Sequence, residues 1–203
     1  SKRGLYPDGS SMTSAALFST HSLNLDDWIL SAGARFNTFS IKVKDEANGT
    51  SRLTPDAIVG NIGILRKITA TDGLFVSLNT GFRAPNIDDL GTLGIVDFRY
   101  ETPNFDLKSE KSFQYQFGYR HNGKKLKGEF FVYRNELYDL ITRKRVENQT
   151  IEGYPLYQKE NSDRAFIQGV ETSLDLYAGS SFVIQSALTY TYGQNITNDE
   201  PLR

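Results

Sequence analysis

The sequence predicts an all-β fold: an antiparallel up-and-down meander of about eight long strands that is part of a larger transmembrane β-barrel. Three observations carry this. Apolar and polar residues alternate with period two, the spacing that sends successive side chains to opposite faces of a strand. Many alternating runs reach ten residues or more, where globular strands have ~5–6 and a tilted strand needs ~9–11 to cross a bilayer. The connections between runs also alternate, short then long, as in barrels with tight turns at one rim and loops at the other.

In order, Ser1–Ser10 is a turn-rich lead-in containing Tyr6-Pro7-Asp8-Gly9, and Met12–Ser22 is a strand. In Trp28–Lys44, Trp28, Leu30, Ala32, Ala34 and Phe36 share a face opposite Ser31, Gly33, Arg35 and Asn37. Asp45–Arg52, with its Asn48-Gly49, is a polar loop before the strand Leu53–Lys67. Gly73–Phe82 alternates again until Pro85, which has no N–H for a ladder. Asn86–Lys108 shows no period and is expected to be a long loop.

Ser109–His121 sets Phe113, Tyr115, Phe117 and Tyr119 against Ser112, Gln114, Gln116 and Gly118. The aromatic face is assigned to lipid and the glutamine face to the lumen. Asn122-Gly123 is a strong hairpin signal, followed by Leu126–Ile141 as the returning strand. Thr142–Ser162, charged and aperiodic, is expected to be a second long loop. Asp163–Tyr177 and Phe182–Tyr192 are the last strands, joined by a turn at Ala178–Ser181. The short links (Leu23–Asp27, Ile68–Asp72, Asn122–Lys125 and Ala178–Ser181) are expected on the periplasmic side. Both ends of the chain then fall on the long-loop side, which leads to the expectation that residues 1–203 form one partial barrel domain of a longer protein.

Charge is balanced, 23 basic against 24 acidic residues, which gives no electrostatic case for nucleic acid. There is no cysteine, hence no disulfide scaffold or thiolate site. Mean hydropathy is -0.43, a value also compatible with a membrane barrel, because only alternate residues of such a barrel meet lipid. No nucleophile-elbow motif or cluster of metal-ligand spacing stands out, so neither enzyme nor metal site is expected. His21 and His121 are read as exposed turn residues, and Asp88-Asp89 as a solvated pair rather than a calcium loop. Arg35, Glu171 and Asp175 are candidates for a lumenal ion network. Tyr119, Tyr177, Tyr190 and Tyr192 are candidates for an aromatic girdle.

Gly81-Phe82-Arg83-Ala84-Pro85 resembles the FRAP-like box of TonB-dependent outer-membrane receptors. Thr102-Pro103-Asn104-Phe105-Asp106-Leu107-Lys108 resembles the second, NPNL-like box of that family. FFVYRNELYDLI, Gly169-Val170-Glu171 and LTYTYG add to the likeness. The resemblance implies a 22-stranded barrel in the outer membrane, closed by a plug and powered through TonB by an inner-membrane complex. Plug, TonB box and signal peptide are not found in these residues. It further implies ligand capture by extracellular loops, of a ferric siderophore-like chelate, cobalamin or a glycan. Haem receptors of the family carry a histidine between the two boxes. NIDDLGTLGIVDFRYE, residues 86–101, has none, which points away from haem.

Candidate ligand-binding residues are Arg99, Tyr100, Arg143, Arg145, Tyr154 and Tyr157, cations and aromatics suited to an anionic chelate or a sugar. Phe82, Arg83, Ala84, Pro85, Pro103, Asn104 and Leu107 are expected to be structural. The competing readings are a soluble β-sandwich that binds carbohydrate and a small complete outer-membrane barrel with a structural or adhesive role.

Overall fold

The computed structural model describes residues 7–45, 49–179 and 181–202. Most of the lead-in Ser1–Ser10, the middle of Asp45–Arg52 and part of the Ala178–Ser181 turn lie outside the described residues. The wall of the molecule is eight long antiparallel strands: β1 (Ser11–Leu25), β2 (Trp28–Asp45), β4 (Asp56–Lys67), β5 (Asp72–Arg83), β8 (Glu110–Asn122), β9 (Leu126–Ile151), β10 (Tyr154–Ala178) and β11 (Phe182–Asn195). Each pairs with its neighbour in sequence order. β3 (Gly49–Leu53) folds back on β2, and β12 (Glu200–Pro201) on β11. Between β5 and β8 lie a short helix, α1 (Ile87–Gly91), and two short strands, β6 (Gly94–Val96) and β7 (Arg99–Thr102).

Register explains the amphipathic pattern. One cross-strand row takes one residue from every wall strand: Leu23, Leu30, Ile64, Val76, Phe117, Val132, Val170 and Tyr190. The next row, one residue along, points the other way and reads Ser22, Ser31, Gly63, Ser77, Gln116, Tyr133, Gly169 and Thr191. An all-apolar row beside a polar and small one means that the two faces meet different media. The apolar face is the open one: Phe117, in its middle, is 43% exposed. On the other face the ring of Tyr133 crosses Gly169, whose Cβ would come within 2.8 Å of that ring, and its hydroxyl meets Thr191 Oγ1 at 3.1 Å.

Alternation also corrects one girdle candidate. Tyr119, Tyr190 and Tyr192 share the apolar face, but Tyr177 has the parity of Glu171 and Asp175 and lies beneath Lys127, 5.5 Å from Nζ to the ring. The suggested ion network does not join β2 to β10, which are separated in the sheet. Arg35 Nε donates to Asn37 at 2.7 Å, and Asp175 accepts from Gln185 at 3.1 Å.

Two of the expected long loops are structured. Thr142–Ser162 is not a loop. It is the continuation of β9 and β10, 26 and 25 residues long, or about 80–85 Å at ~3.3 Å per residue. The two strands close through Glu152 (φ 53°) and Gly153 (φ 80°), the paired positive-φ turn that favours glycine. Beyond the wall both faces of this hairpin carry charge, so the pairing continues where hydrophobic alternation has ended. Register shifts near Tyr157, Asp163 and Ala165, with Asp139 at φ 56°, bend it. Asn86–Lys108 likewise folds into α1, β6 and β7.

Candidate functional site at the insert rim

Residues 84–108 form an insert that turns back onto one face of the wall instead of extending from it. Its apolar underside drives this. Leu90 and Leu107 are buried with Ile41 and Val43 of β2, and Ile87, Phe105, Phe39, Leu53 and Ile141 pack around them. β2 therefore changes character along one face, from Arg35 and Asn37 to Phe39, Ile41 and Val43, where the insert covers it.

Local chemistry starts the helix. Asn86 caps α1 by accepting the Asp89 N–H at 2.8 Å, and Asp89 returns the bond to the Asn86 N–H at 3.0 Å. The same Asp89 carboxylate takes Arg83 Nη1 at 2.6 Å, while Arg83 Nε and Nη2 grip Glu110 at 2.8 and 2.6 Å. One arginine thereby ties the end of β5 to both α1 and β8.

Strand β10 is the docking edge. β7 pairs with it in parallel, Tyr100 against Leu156 and Glu101 against Tyr157. Asn104 donates to the Lys159 carbonyl at 2.8 Å, Gln158 to the Pro103 carbonyl at 2.7 Å, and Asn161 to the Lys108 carbonyl at 2.9 Å. Lys159 Nζ reaches Asp88 Oδ2 at 2.9 Å and lies 3.7 Å from Asp89 Oδ1. Burial would push the Asp88 carboxyl up, but the hydrogen bonds from Lys159 and Thr92 outweigh it and hold that carboxyl below its ordinary value.

The candidate ligand residues divide. Arg99, Arg143 and Tyr157 meet around Glu101, which is 2% exposed: Arg99 Nε is 3.0 Å and Arg143 Nε 2.7 Å from Glu101 Oε1, and the Arg99 guanidinium sits 5.9 Å from the Tyr157 ring centre. Tyr100 lies beside them in β7. Arg145 is the cross-strand partner of Tyr157, and Tyr154 lies nearer the hairpin tip, opposite Ile151. The box residues have structural contacts: Phe82 meets Phe39 edge-on at 5.6 Å, Ala84 and Pro85 are buried, and Leu107 is core. Sequence reasoning missed Lys159, because nothing local marks a lysine whose partners lie 71 positions away. Asp88 and Asp89 are not a free solvated pair, since both are held by cations. His121 Nδ1 lies 2.8 Å from Asp72, and His21 Nε2 lies 2.8 Å from Ser19 Oγ.

Long antiparallel strands with one apolar and one polar row, and an insert braced inside one rim, define a receptor-type β-barrel wall. The chain belongs to the TonB-dependent receptor-like β-barrel family, whose pattern matches residues 2–202. It is 33% identical over 131 residues to the hemoglobin and hemoglobin-haptoglobin-binding protein B of Haemophilus influenzae, an alignment covering 60% of this chain and 12% of that protein. Its fold is similar to the copper transporter OprC, with TM-score 0.77 and 20% identity over 95% of this chain and 30% of the other. It also resembles the FrpB iron transporter of Neisseria meningitidis, with TM-score 0.73 and 14% identity over 96% and 28%. The chain thus spans about an eighth of that curated relative and under a third of those two solved transporters. By name, these matches are a hemoglobin-binding protein, a copper transporter and an iron transporter.

Proposed function

We propose that this chain is the wall segment of an outer-membrane receptor that captures a scarce nutrient at the insert rim for TonB-powered import. The observation that carries the reading is the apolar row across all eight wall strands, lying below a rim braced by the family-like boxes. The short turns then face the periplasm, and the β9–β10 hairpin and the insert face outward. The plug domain and the TonB contact belong to other parts of a longer protein.

For the cargo, the 33% identity to a hemoglobin- and hemoglobin-haptoglobin-binding protein favours haem carried by a protein over a siderophore-like chelate, cobalamin or a glycan. Residues 86–101 contain no histidine, so on this reading they offer no imidazole to the iron. The test is growth of an iron-starved strain whose only haem or siderophore receptor is the full-length protein. Growth on hemoglobin supports the reading; growth on ferric siderophores alone overturns the cargo, and no growth on any iron source overturns the transport role.

A further inference from the structure

The β6–β7 hairpin ends in an unusual way. Its two turn residues, Asp97 and Phe98, both have positive φ, 44° and 60°, between the paired residues Val96 and Arg99. This two-residue turn normally carries Asn-Gly or Asp-Gly. Aspartate tolerates the left-handed region, but a bulky phenylalanine there is strained. Phe98 gains little packing in return among the described residues: it is 86% exposed, and nearby Ile95 is 44% exposed. The turn is nevertheless held firmly from below. Arg99 Nη2 is 3.3 Å from Asp97 Oδ2 and its Nε 3.0 Å from the buried Glu101, which Arg143 clamps from β9. A strained residue persists only where its surroundings impose it, and such residues gather at binding sites.

We infer that Phe98 is an anchor that inserts into an apolar pocket on a protein partner. The occupant is a protein because the feature projects. A small ligand needs a concavity that surrounds most of its surface, and a ring open over 86% of its area supplies none. A rigid aromatic held out on a braced support fits the pattern of an interface anchor, since little freedom is lost when it docks. Asp97, the preceding residue, paired with Arg99 but with its side chain 79% exposed, calls for a cation or hydrogen-bond donor on the pocket's edge. The inference rests on the receptor reading and adds to it the residue that touches the carrier protein.

Phe98→Gly separates binding from folding, because glycine relieves the backbone and removes the ring. In the full-length receptor on intact cells, with hemoglobin as probe, Phe98→Gly is expected to weaken binding by about tenfold or more, the scale of an aromatic hot spot, while the outer-membrane level of the protein is unchanged or higher. Phe98→Trp is expected to keep most of the binding. Phe98→Cys, in a chain without native cysteine, is expected to react with an impermeant maleimide above the background of the unsubstituted receptor, and hemoglobin is expected to protect it. Unchanged binding by Phe98→Gly beside a native receptor that binds hemoglobin overturns the anchor and leaves the receptor reading intact. An unreactive cysteine shows that other parts of the receptor cover the tip, and also overturns it. A native receptor that binds no hemoglobin overturns both the cargo reading and the anchor.

Discussion

Lys159 Nζ donates to Asp88 Oδ2 at 2.9 Å, joining the returning strand β10 to the first turn of α1 across 71 residues. Around it the insert is held by charge above and apolar packing below. Removing the ammonium leaves Asp88 and Asp89 without their shared cation. Lys159→Met is expected to speed amide exchange in residues 87–92 by about tenfold and to leave the β4–β5 and β8–β9 ladders unchanged, with Lys159→Arg partly restoring protection. Hydrogen exchange with mass spectrometry on the full-length receptor reads this; uniform loss of protection would mean that Lys159 supports the whole wall.

Glu101 is the second fastening. Glu101→Gln keeps the shape but removes the charge that faces Arg99 and Arg143, with an expected loss of about 2–3 kcal/mol in insert docking. Limited proteolysis in the 92–100 segment is expected to accelerate, and an unchanged cleavage rate would exclude Glu101 from that role.

The pH dependence of the insert follows from Asp88. Its folded pKa lies below the unfolded value, so its contribution is fully present above an ordinary carboxylate pKa of about 3.9 and is lost as pH falls through the lower folded value. Exchange protection of α1 is expected to be flat from neutral to mildly acidic pH and to fall below about pH 4. In Asp88→Asn that part of the fall should disappear, and an identical acid profile in the variant would contradict the assignment.

The two faces of the wall predict an asymmetry between adjacent residues. Phe117→Arg puts a charge in the middle of the apolar row, with an expected cost of about 2–4 kcal/mol in a bilayer, whereas Gln116→Arg, on the opposite face, should be tolerated. Folding into phospholipid vesicles, followed by heat-modifiable gel mobility, compares them; equal tolerance would argue against lipid contact.

The wall was readable in the sequence because a medium boundary imposes period two. Trp28–Lys44 became Trp28–Asp45, and Gly73–Phe82 became Asp72–Arg83. Where the boundary ends, so does the signal: the outer half of β9–β10 carries charge on both faces and reads as a charged loop, although Glu152-Gly153 was available as a turn marker. The insert was harder. The Asn86–Asp89 capping pair was visible in principle, but the partners that fasten Asp88, Glu101 and Asn104 to the wall, Lys159 and Arg143, lie on β10 and β9, and no local pattern encodes a contact at that distance. Arg99, Arg143 and Tyr157 were chosen for their chemistry. That the two arginines converge on one buried carboxylate, with Tyr157 against Arg99, came from the fold alone.

The parallel pairing of β7 with β10 also fixes an order of events. A hairpin can form as soon as its two strands exist, but β7 has nothing to dock on until Leu156–Gln158, more than 50 residues later, have been laid down; closing so long a loop is slow. The rim therefore closes more slowly than the local hairpins β4–β5 and β8–β9. Until then the acidic turn of α1 and the apolar side of β2 stand uncovered, which makes this junction the place where interrupted assembly would leave the barrel open to chaperones and proteases.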